Sequence, residues 1–214
     1  CQFFNATLFS LGVSIAPVAL VLLGVATVPI FAAFFAFIIL REPTETKTWI
    51  AIGSVLCGLS VAVFTPENGH VQINIWSLLG ALAGLGVAIS LSMSFVLIRH
   101  QKTAPFLLAI GIGGLLSGLF GLLMTGLGNM ANGNIGYIIF TGIVILPTSF
   151  FLLSFAARYT HASNVSLALL LETVLGPLWV WMGTPERPTP MMLFGGFIVI
   201  LSLITYLILM RRQK

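Results

Sequence analysis

The stretch LALLLETVLGPLWVW, residues Leu167–Trp181, carries one carboxylate, Glu172, inside a run that is otherwise almost wholly apolar. The whole chain has this character, because 58% of its 214 residues are hydrophobic, only 7% are charged, and the mean hydropathy is +1.12. Soluble domains carry about 25% charged residues. Runs of roughly 20 apolar residues match the thickness of a bilayer, so the sequence predicts an all-α polytopic membrane protein.

Eight apolar runs follow one another along the chain, separated by short polar breaks. The first run is too short to cross a bilayer, so the pattern predicts seven full membrane helices and one partial helix. The runs cover residues 1–14, 17–40, 49–64, 76–98, 106–127, 135–157, 165–182 and 191–210.

The basic residues predict the orientation of these helices. Cytoplasmic loops of membrane proteins are enriched in Lys and Arg. With a cytoplasmic C-terminus and alternating loops, only Arg187 falls outside, which predicts a multi-pass membrane protein whose C-terminus is cytoplasmic. The net charge of +4 therefore reports topology rather than binding to nucleic acid. The residues assigned to the cytoplasmic side are Arg41, Lys47, Arg99, Lys102, Arg158, Arg211, Arg212 and Lys214.

The chain also shows an internal repeat. A shift of 144 positions aligns Glu42 in REPT with Glu186 in PERPT, and it aligns the helix boundaries as well. Repeats of opposite orientation are common in transporters. The alignment predicts an inverted-repeat bundle: residues 1–65 hold a partial helix 3 with helices 4 and 5, residues 66–74 form an external linker, and residues 75–214 hold helices 6 to 10. Two helices and part of a third are expected to be absent from the start of the first repeat.

Three segments resemble the paired repeats of EamA-type transporters in the drug/metabolite transporter superfamily. They are P…RE (Pro29 to Glu42), LLLETVLGPLWVW…ERPT (Leu169 to Thr189) and FGGFIVILS (Phe194 to Ser202). The resemblance implies ten helices in the full bundle and alternating-access transport of a small organic metabolite or drug-like solute across the bacterial inner membrane. Many members of the family are exporters. It implies no particular substrate. The chain departs from the pattern at Thr173, where the family and the first repeat have a proline.

Glu172 is the strongest candidate for a functional residue. An acid at the bilayer centre costs at least ~2.5 kcal/mol, so it is expected to face the bundle interior or a water-filled cavity. It could carry a proton or bind an amine of the substrate, and the alternative is a structural acid held by a neighbouring helix. Trp179, seven positions later, shares its helix face and is either a second site residue or part of the interfacial aromatic belt.

Smaller polar residues are candidates for the cavity wall. Pro147 interrupts the run at 135–157, and the hydroxyls beside it can satisfy the backbone groups that proline frees. A serine pair with i, i+4 spacing shares one face of another helix, where it lines the cavity or joins helices. An asparagine occupies the position in the first repeat that matches Ser149. These candidates are Thr148, Ser149, Ser90, Ser94 and Asn5.

Two further acids, Glu42 and Glu186, end long apolar helices beside arginines. An interfacial ion pair or loop contact is the first interpretation for both, and a gating role is the second. Two Gly-x-x-x-Gly pairs, Gly80 with Gly84 and Gly114 with Gly118, favour close helix packing inside the chain, with a homodimer contact as the alternative.

Other classes of protein fit the sequence less well. An intramembrane enzyme would need several polar catalytic groups at depth, and Glu172 is the only ionisable one there. A channel or packing subunit would show rings of polar residues along one face, whereas the hydroxyls are scattered. No nucleotide-binding motif, catalytic motif or metal-ligand cluster occurs, so a transporter without metal or cofactor is predicted, with a small molecule and the lipid bilayer as its partners.

The predicted topology can be tested by cysteine labelling of intact cells. An impermeant thiol reagent should label Glu67→Cys and Asn132→Cys, which are in external loops, but not Lys102→Cys or Lys214→Cys. External labelling of Lys102→Cys would contradict the assignment.

Overall fold

The computed structural model describes residues 1–16, 18–64, 75–101, 105–126, 135–183 and 190–211. Some side chains within these ranges, including those of Glu172 and Trp179, lie outside the described set. Each apolar run of the sequence corresponds to helix in the described ranges, which contain no strand. The predicted all-α membrane fold is therefore confirmed.

The helices are named here in chain order. Two short π-helical segments, π1 and π2, lie within the apolar runs at residues 17–40 and 135–157. The elements are α1 Gln2–Ile15, α2 Val18–Val25, α3 Val28–Phe35, π1 Ala36–Leu40, α4 Thr46–Phe64, α5 Ile75–His100, α6 Phe106–Thr125, α7 Ile135–Phe140, π2 Thr141–Ile145, α8 Leu146–Tyr159, α9 Ala162–Gly183 and α10 Pro190–Arg211.

The outer surface of the bundle is apolar, as a lipid-facing surface is. Within the described residues, the segments Leu78–His100, Phe106–Thr125 and Thr141–Tyr159 are long and apolar enough to cross a membrane, and shorter apolar segments accompany them. Helix α6 buries little of itself, and Leu115 on it is 76% exposed. Soluble monomers rarely expose contiguous apolar patches larger than a few hundred Å². Hydrocarbon is thus the solvent that suits this surface.

The run at residues 17–40 is not one continuous helix, although the sequence predicts a single span there. The helix stops at Val25 and starts again at Val28. Pro29 has no N–H to donate, and the amide of Ile30 donates to the carbonyl of Thr27 at 2.9 Å. The Thr27 hydroxyl donates to the Gly24 carbonyl at 2.6 Å, which satisfies one backbone group at the break. Threonine and proline together therefore create a discontinuous helix.

A second irregularity lies beside Pro147. The sequence places the interruption at Pro147 itself, whereas the structure places it in π2, directly before α8 begins at Leu146. Proline is well tolerated in the first turn of a helix, where its missing N–H would have no helical partner. The irregular hydrogen bonding is therefore confined to the turn that precedes the proline.

Two clusters of buried residues form the core, and α3 and α9 lie between them. Helix α9 gives Leu167 and Leu170 to one cluster, which it shares with α4, α10 and Ala26 at the helix break. It gives Val165 to the other, which it shares with α3 and with Phe95 of α5. The broken helix therefore sits at the centre of the bundle, in contact with both clusters.

Glycines allow α5 to pack closely on α1 and α2. A methyl group added at Gly24 would lie 2.7 Å from the carbonyl oxygen of Ala81, and one added at Gly84 would overlap the Val21 carbonyl oxygen. The internal packing predicted for Gly80 and Gly84 is confirmed. That prediction is wrong for Gly114 and Gly118, because an added methyl group at either one meets nothing within 4 Å in the described part of the chain.

We expect Gly84→Val to destabilise the bundle strongly, because the new side chain overlaps backbone atoms that cannot move aside. Overpacking of this kind costs about 3 kcal/mol of unfolding free energy. Gly118→Val is the matched control and should change the stability by less than about 0.5 kcal/mol. Thermal unfolding of both variants in the same detergent measures the difference, and equal stabilities would contradict the packing described here.

Candidate functional site

Six polar residues from four parts of the chain meet at one end of the bundle. Glu42 follows π1, Thr48 lies in the first turn of α4, and Arg99 lies in the last turn of α5. The others come from the start of α9 and the end of α10. Together these residues are called the gate cluster: Glu42, Thr48, Arg99, His161, Asn164 and Tyr206.

The ion pair between Glu42 and Arg99 is the strongest contact in the gate cluster. Nη2 and Nε of Arg99 both donate to Oε1 of Glu42, at 2.7 Å and 3.2 Å. The Arg99 side chain is 16% exposed and that of Glu42 is 31% exposed. Hydrogen bonds between charged groups are shorter and roughly twice as strong as neutral ones. The two residues are 57 positions apart in the chain, so this strong contact joins two distant segments.

Local backbone geometry explains why Arg99, and not the adjacent Arg41, contacts Glu42. Arg41 ends π1 in the left-handed conformation, with φ of 54°. The amide of Glu42 still bonds to the Ala36 carbonyl, at 3.3 Å. The chain reverses at Arg41, which is exposed, while Glu42 is half-buried beside the end of α5. The ion pair is thus a contact between helices rather than between neighbours in sequence.

The second oxygen of Glu42 has a different environment. Oε2 is shielded from solvent and accepts no hydrogen bond from the described residues. Nε2 of His161 lies 3.6 Å away, which is beyond hydrogen-bonding distance but within ion-pair distance. The His161 side chain is 59% exposed, so water reaches it.

A chain of hydrogen bonds lies next to the ion pair. The Tyr206 hydroxyl donates to Oδ1 of Asn164 at 2.5 Å and lies 3.0 Å from the hydroxyl of Thr48. A phenol has one proton, so Tyr206 accepts from Thr48 while it donates to Asn164. Thr48 and Tyr206 are both buried. These bonds tie α4 to α9 and α10.

A small cleft opens between these contacts. The water-accessible volume of the cleft is about 70 Å³. One water needs roughly 10–15 Å³ by this measure, so the cleft has room for a few waters and not for an organic solute. The cleft that these residues form therefore admits water and excludes an organic solute. Its polar lining consists of Glu42, Thr44, Glu45, Thr48, His161, Asn164 and Tyr206.

The residues singled out in the sequence have three different outcomes. Glu42 is in the gate cluster. Glu186 lies outside the described residues, as do the side chains of Glu172 and Trp179, although the backbone of both belongs to α9. Ala26, at the helix break, shares a core cluster with Leu167 and Leu170. The break and the part of α9 that leads directly into Glu172 therefore belong to the same core cluster.

The smaller candidates are not all brought together. Helices α1 and α5 are antiparallel, with Leu8 opposite Gly86 and Gly12 opposite Ala83, which puts Asn5 at the level of Ser90. Asn5 is buried and Ser90 is half-buried. The Ser94 hydroxyl donates to the Ser90 carbonyl of its own helix at 2.9 Å. Thr148 and Ser149 are exposed on α8.

The structure adds one serine that the sequence interpretation missed. Ser92 is fully buried, and its hydroxyl lies 3.0 Å from the Val28 carbonyl and 2.5 Å from the Ala88 carbonyl. It therefore places a donor of α5 beside the first residue of α3, next to the helix break. Its position between Ser90 and Ser94, off their shared face, gave no signal in the spacing.

Four other gate residues were also missed: Arg99, Thr48, Asn164 and Tyr206. His161 is largely exposed and also approaches Glu42. The loop charges contained a usable signal, because they assign Glu42, Arg99 and His161 to the same side of the membrane. A partner for Glu42 could have been sought among those loops.

Comparison with known proteins supports a transporter in general terms. No family model matches the chain. It is 27% identical over 207 residues to the uncharacterized transporter YdfC of Bacillus subtilis (strain 168), covering 92% of this chain and 65% of that protein. The chain thus spans less than two thirds of its relative's length. A solved crystal structure has the same fold, with a TM-score of 0.77 and 15% identity over 99% of this chain and 77% of the other.

We expect Tyr206→Phe to destabilise the contacts that tie α10 to α4 and α9. The substitution leaves Asn164 without the phenol donor and Thr48 without its acceptor. The loss should be about 1 kcal/mol of unfolding free energy. Tyr159→Phe is the matched control, because Tyr159 is 68% exposed. Parallel unfolding curves in detergent give the comparison, and an undiminished stability of Tyr206→Phe would show that the hydrogen bonds contribute nothing.

Proposed function

We propose that this protein is a secondary transporter of the EamA type, which exports a small organic metabolite or drug-like solute across the bacterial cytoplasmic membrane by alternating access. The gate cluster carries the proposal, because its contacts join residues 42–48 to α5, α9 and α10 at one closed end of the bundle. Alternating access requires such an end to close and reopen. Similarity to a protein named as a transporter supports the same class.

The strength of the gate contacts suits a reversible closure. Ion pairs that keep some contact with water are worth about 0–1 kcal/mol, since both charges are rehydrated when the pair separates. Hydrogen bonds such as those of Tyr206 add about 1 kcal/mol each. A closed state held by a few such contacts lies a few kcal/mol from an open one, which is the range in which a ligand can shift populations.

The helix break supports a central substrate site. Discontinuous helices mark the substrate sites of many transporters, where the unwound backbone offers polar groups at mid-membrane depth. Ala26 at the break shares a core cluster with Leu167 and Leu170, in the turns of α9 that precede Glu172. In the proposal, Glu172 binds a proton or an amine of the solute, Trp179 contacts its apolar part, and Asn5, Ser90, Ser94, Thr148 and Ser149 supply polar groups along the path.

The loop charges give the proposal a direction in the membrane. Arg41, Arg99 and Arg158 lie at or next to the end that holds the gate cluster. Enrichment of basic residues marks the cytoplasmic side. The gate cluster is then the cytoplasmic gate, and the closed arrangement corresponds to an outward-facing or occluded state.

A substitution at Glu172 tests the proposed site. Glu172→Gln keeps the shape of the side chain and removes its charge, so we expect normal folding and loss of transport driven by a pH gradient. Glu67→Gln, in the predicted external loop, is the matched control. Exchange of a pool of amino acids, nucleosides and aromatic amines can be followed in proteoliposomes by mass spectrometry. An unchanged rate and pH profile in Glu172→Gln would make Glu172 a structural acid.

Locking the gate tests alternating access directly. The chain would carry Glu42→Cys and Arg99→Cys, with Cys1 and Cys57 replaced by serine. A short reagent that bridges two thiols should stop transport, because the two segments can no longer separate. Each single cysteine variant treated with the same reagent is the control. Full transport by the bridged protein would contradict a gate at this end.

A further inference from the structure

The gate cluster contains one group that the transport proposal does not use. His161 faces Oε2 of Glu42 at 3.6 Å, and that oxygen is shielded from water without a hydrogen-bond donor among the described residues. The other oxygen, Oε1, already accepts two hydrogen bonds from Arg99. A half-satisfied carboxylate therefore lies next to a side chain that gains positive charge when the pH falls.

We propose that His161 is a proton-binding site that strengthens the closed state of this end when the cytoplasmic pH falls. The proposal rests on the proposed gating function and extends it to regulation. Neutral His161 gives Glu42 no charge contact at this distance. Protonated His161 places a cation beside the unpartnered oxygen, so Glu42 holds two cations from two different helix ends.

The surrounding charges allow this response. Histidine is the side chain whose ordinary titration falls between pH 5 and 8, whereas carboxylates, arginines and phenols keep their charge states across that range. The titratable or charged groups that share the cleft or contact Glu42 are Arg99 of α5, Glu45 before α4 and Tyr206 of α10. Of these, only Arg99 is a cation, and it contacts the other carboxylate oxygen. The proposal therefore assigns the pH response of the cleft to its histidine.

The direction of the effect follows from which state is stabilised. The contact exists only while the end is closed, so protonation favours closure and deprotonation releases it. Because His161 is largely exposed, the contact is an ion pair screened by water. Pairs of this kind shift an equilibrium by roughly two- to fivefold. The site therefore modulates the gate without locking it.

Accessibility of a buried position in the cleft measures this shift without any solute. Ala36 lines the cleft and is 4% exposed. In a chain with Cys1 and Cys57 replaced by serine, Ala36→Cys should react with a thiol reagent only when this end opens. The rate is compared between the native His161 and His161→Gln at the same pH, so the intrinsic pH dependence of thiol chemistry cancels. We expect equal rates at pH 8 and a roughly two- to fivefold faster rate for His161→Gln at pH 5.5.

Two control variants keep the result specific. His100→Gln removes another histidine at the end of α5 that is exposed and has no ion pair with an acid of the described chain, and it should leave the labelling rates unchanged. Glu45→Gln removes the other carboxylate of the cleft, and the effect of His161→Gln should persist in its presence. Equal rates for His161 and His161→Gln at pH 5.5, or the same acceleration from His100→Gln, would overturn the proposal, as would loss of the effect in Glu45→Gln. Because labelling needs no solute, failed transport and a failed pH response remain separate outcomes.

Discussion

Backbone hydrogen bonding in a medium without water is the constraint on which the rest of this structure depends. Each N–H and C=O exposed to lipid must find a partner within its own helix, so every long apolar run becomes helical. An interruption is tolerated only where other groups replace the lost bonds. The break at Ala26 and Thr27 meets this condition because it is enclosed by both core clusters, with the Thr27 hydroxyl on Gly24 and the Ser92 hydroxyl beside Val28. A break in the helical hydrogen bonding would be costly on a surface that faces lipid, but it is tolerated at the centre of the bundle.

The same medium moves charged side chains to the helix ends, and there they acquire a role in holding the bundle together. Lipid offers no hydrophobic drive for one helix to pack on another, so close backbone contacts and polar contacts contribute a large share of the specificity. In this chain the two kinds occur in different places. The glycines Gly24 and Gly84 bring α5 against α2 within the bilayer depth, whereas Glu42, Arg99 and Tyr206 join the helix ends. The glycine contact is made against backbone atoms that cannot move aside. The helix-end contact consists of exchangeable polar bonds, which suits the gate proposed at that end.

Helix α9 connects these two regions. Its first turn supplies Asn164 to the gate cluster, the next turns supply Leu167 and Leu170 to the core beside the helix break, and Glu172 follows immediately. A helix is stiff over this distance, so a shift of α9 at the gate would be transmitted to the region of the break. In the proposed transporter, this is a physical route that couples occupancy near Glu172 to closure at Glu42.

The sequence by itself determined the helical class and the positions of the apolar helical runs, because hydrophobic length is a local property. The side of the membrane that loop charge assigns to each loop stays a prediction. The sequence also pointed to Glu42 as a helix-end acid and to an interruption near Pro147, which the structure places one turn earlier in π2. The inverted repeat and the site at Glu172 stay predictions. Only the tertiary structure decided that Arg99 pairs with Glu42, that Tyr206 bridges Thr48 and Asn164, and that the apolar run at residues 17–40 is broken. The physical reason is that these features depend on which helix ends meet and on which carbonyls accept a hydrogen bond from another helix. The spacing of residues along one helix does not show which helices lie next to it.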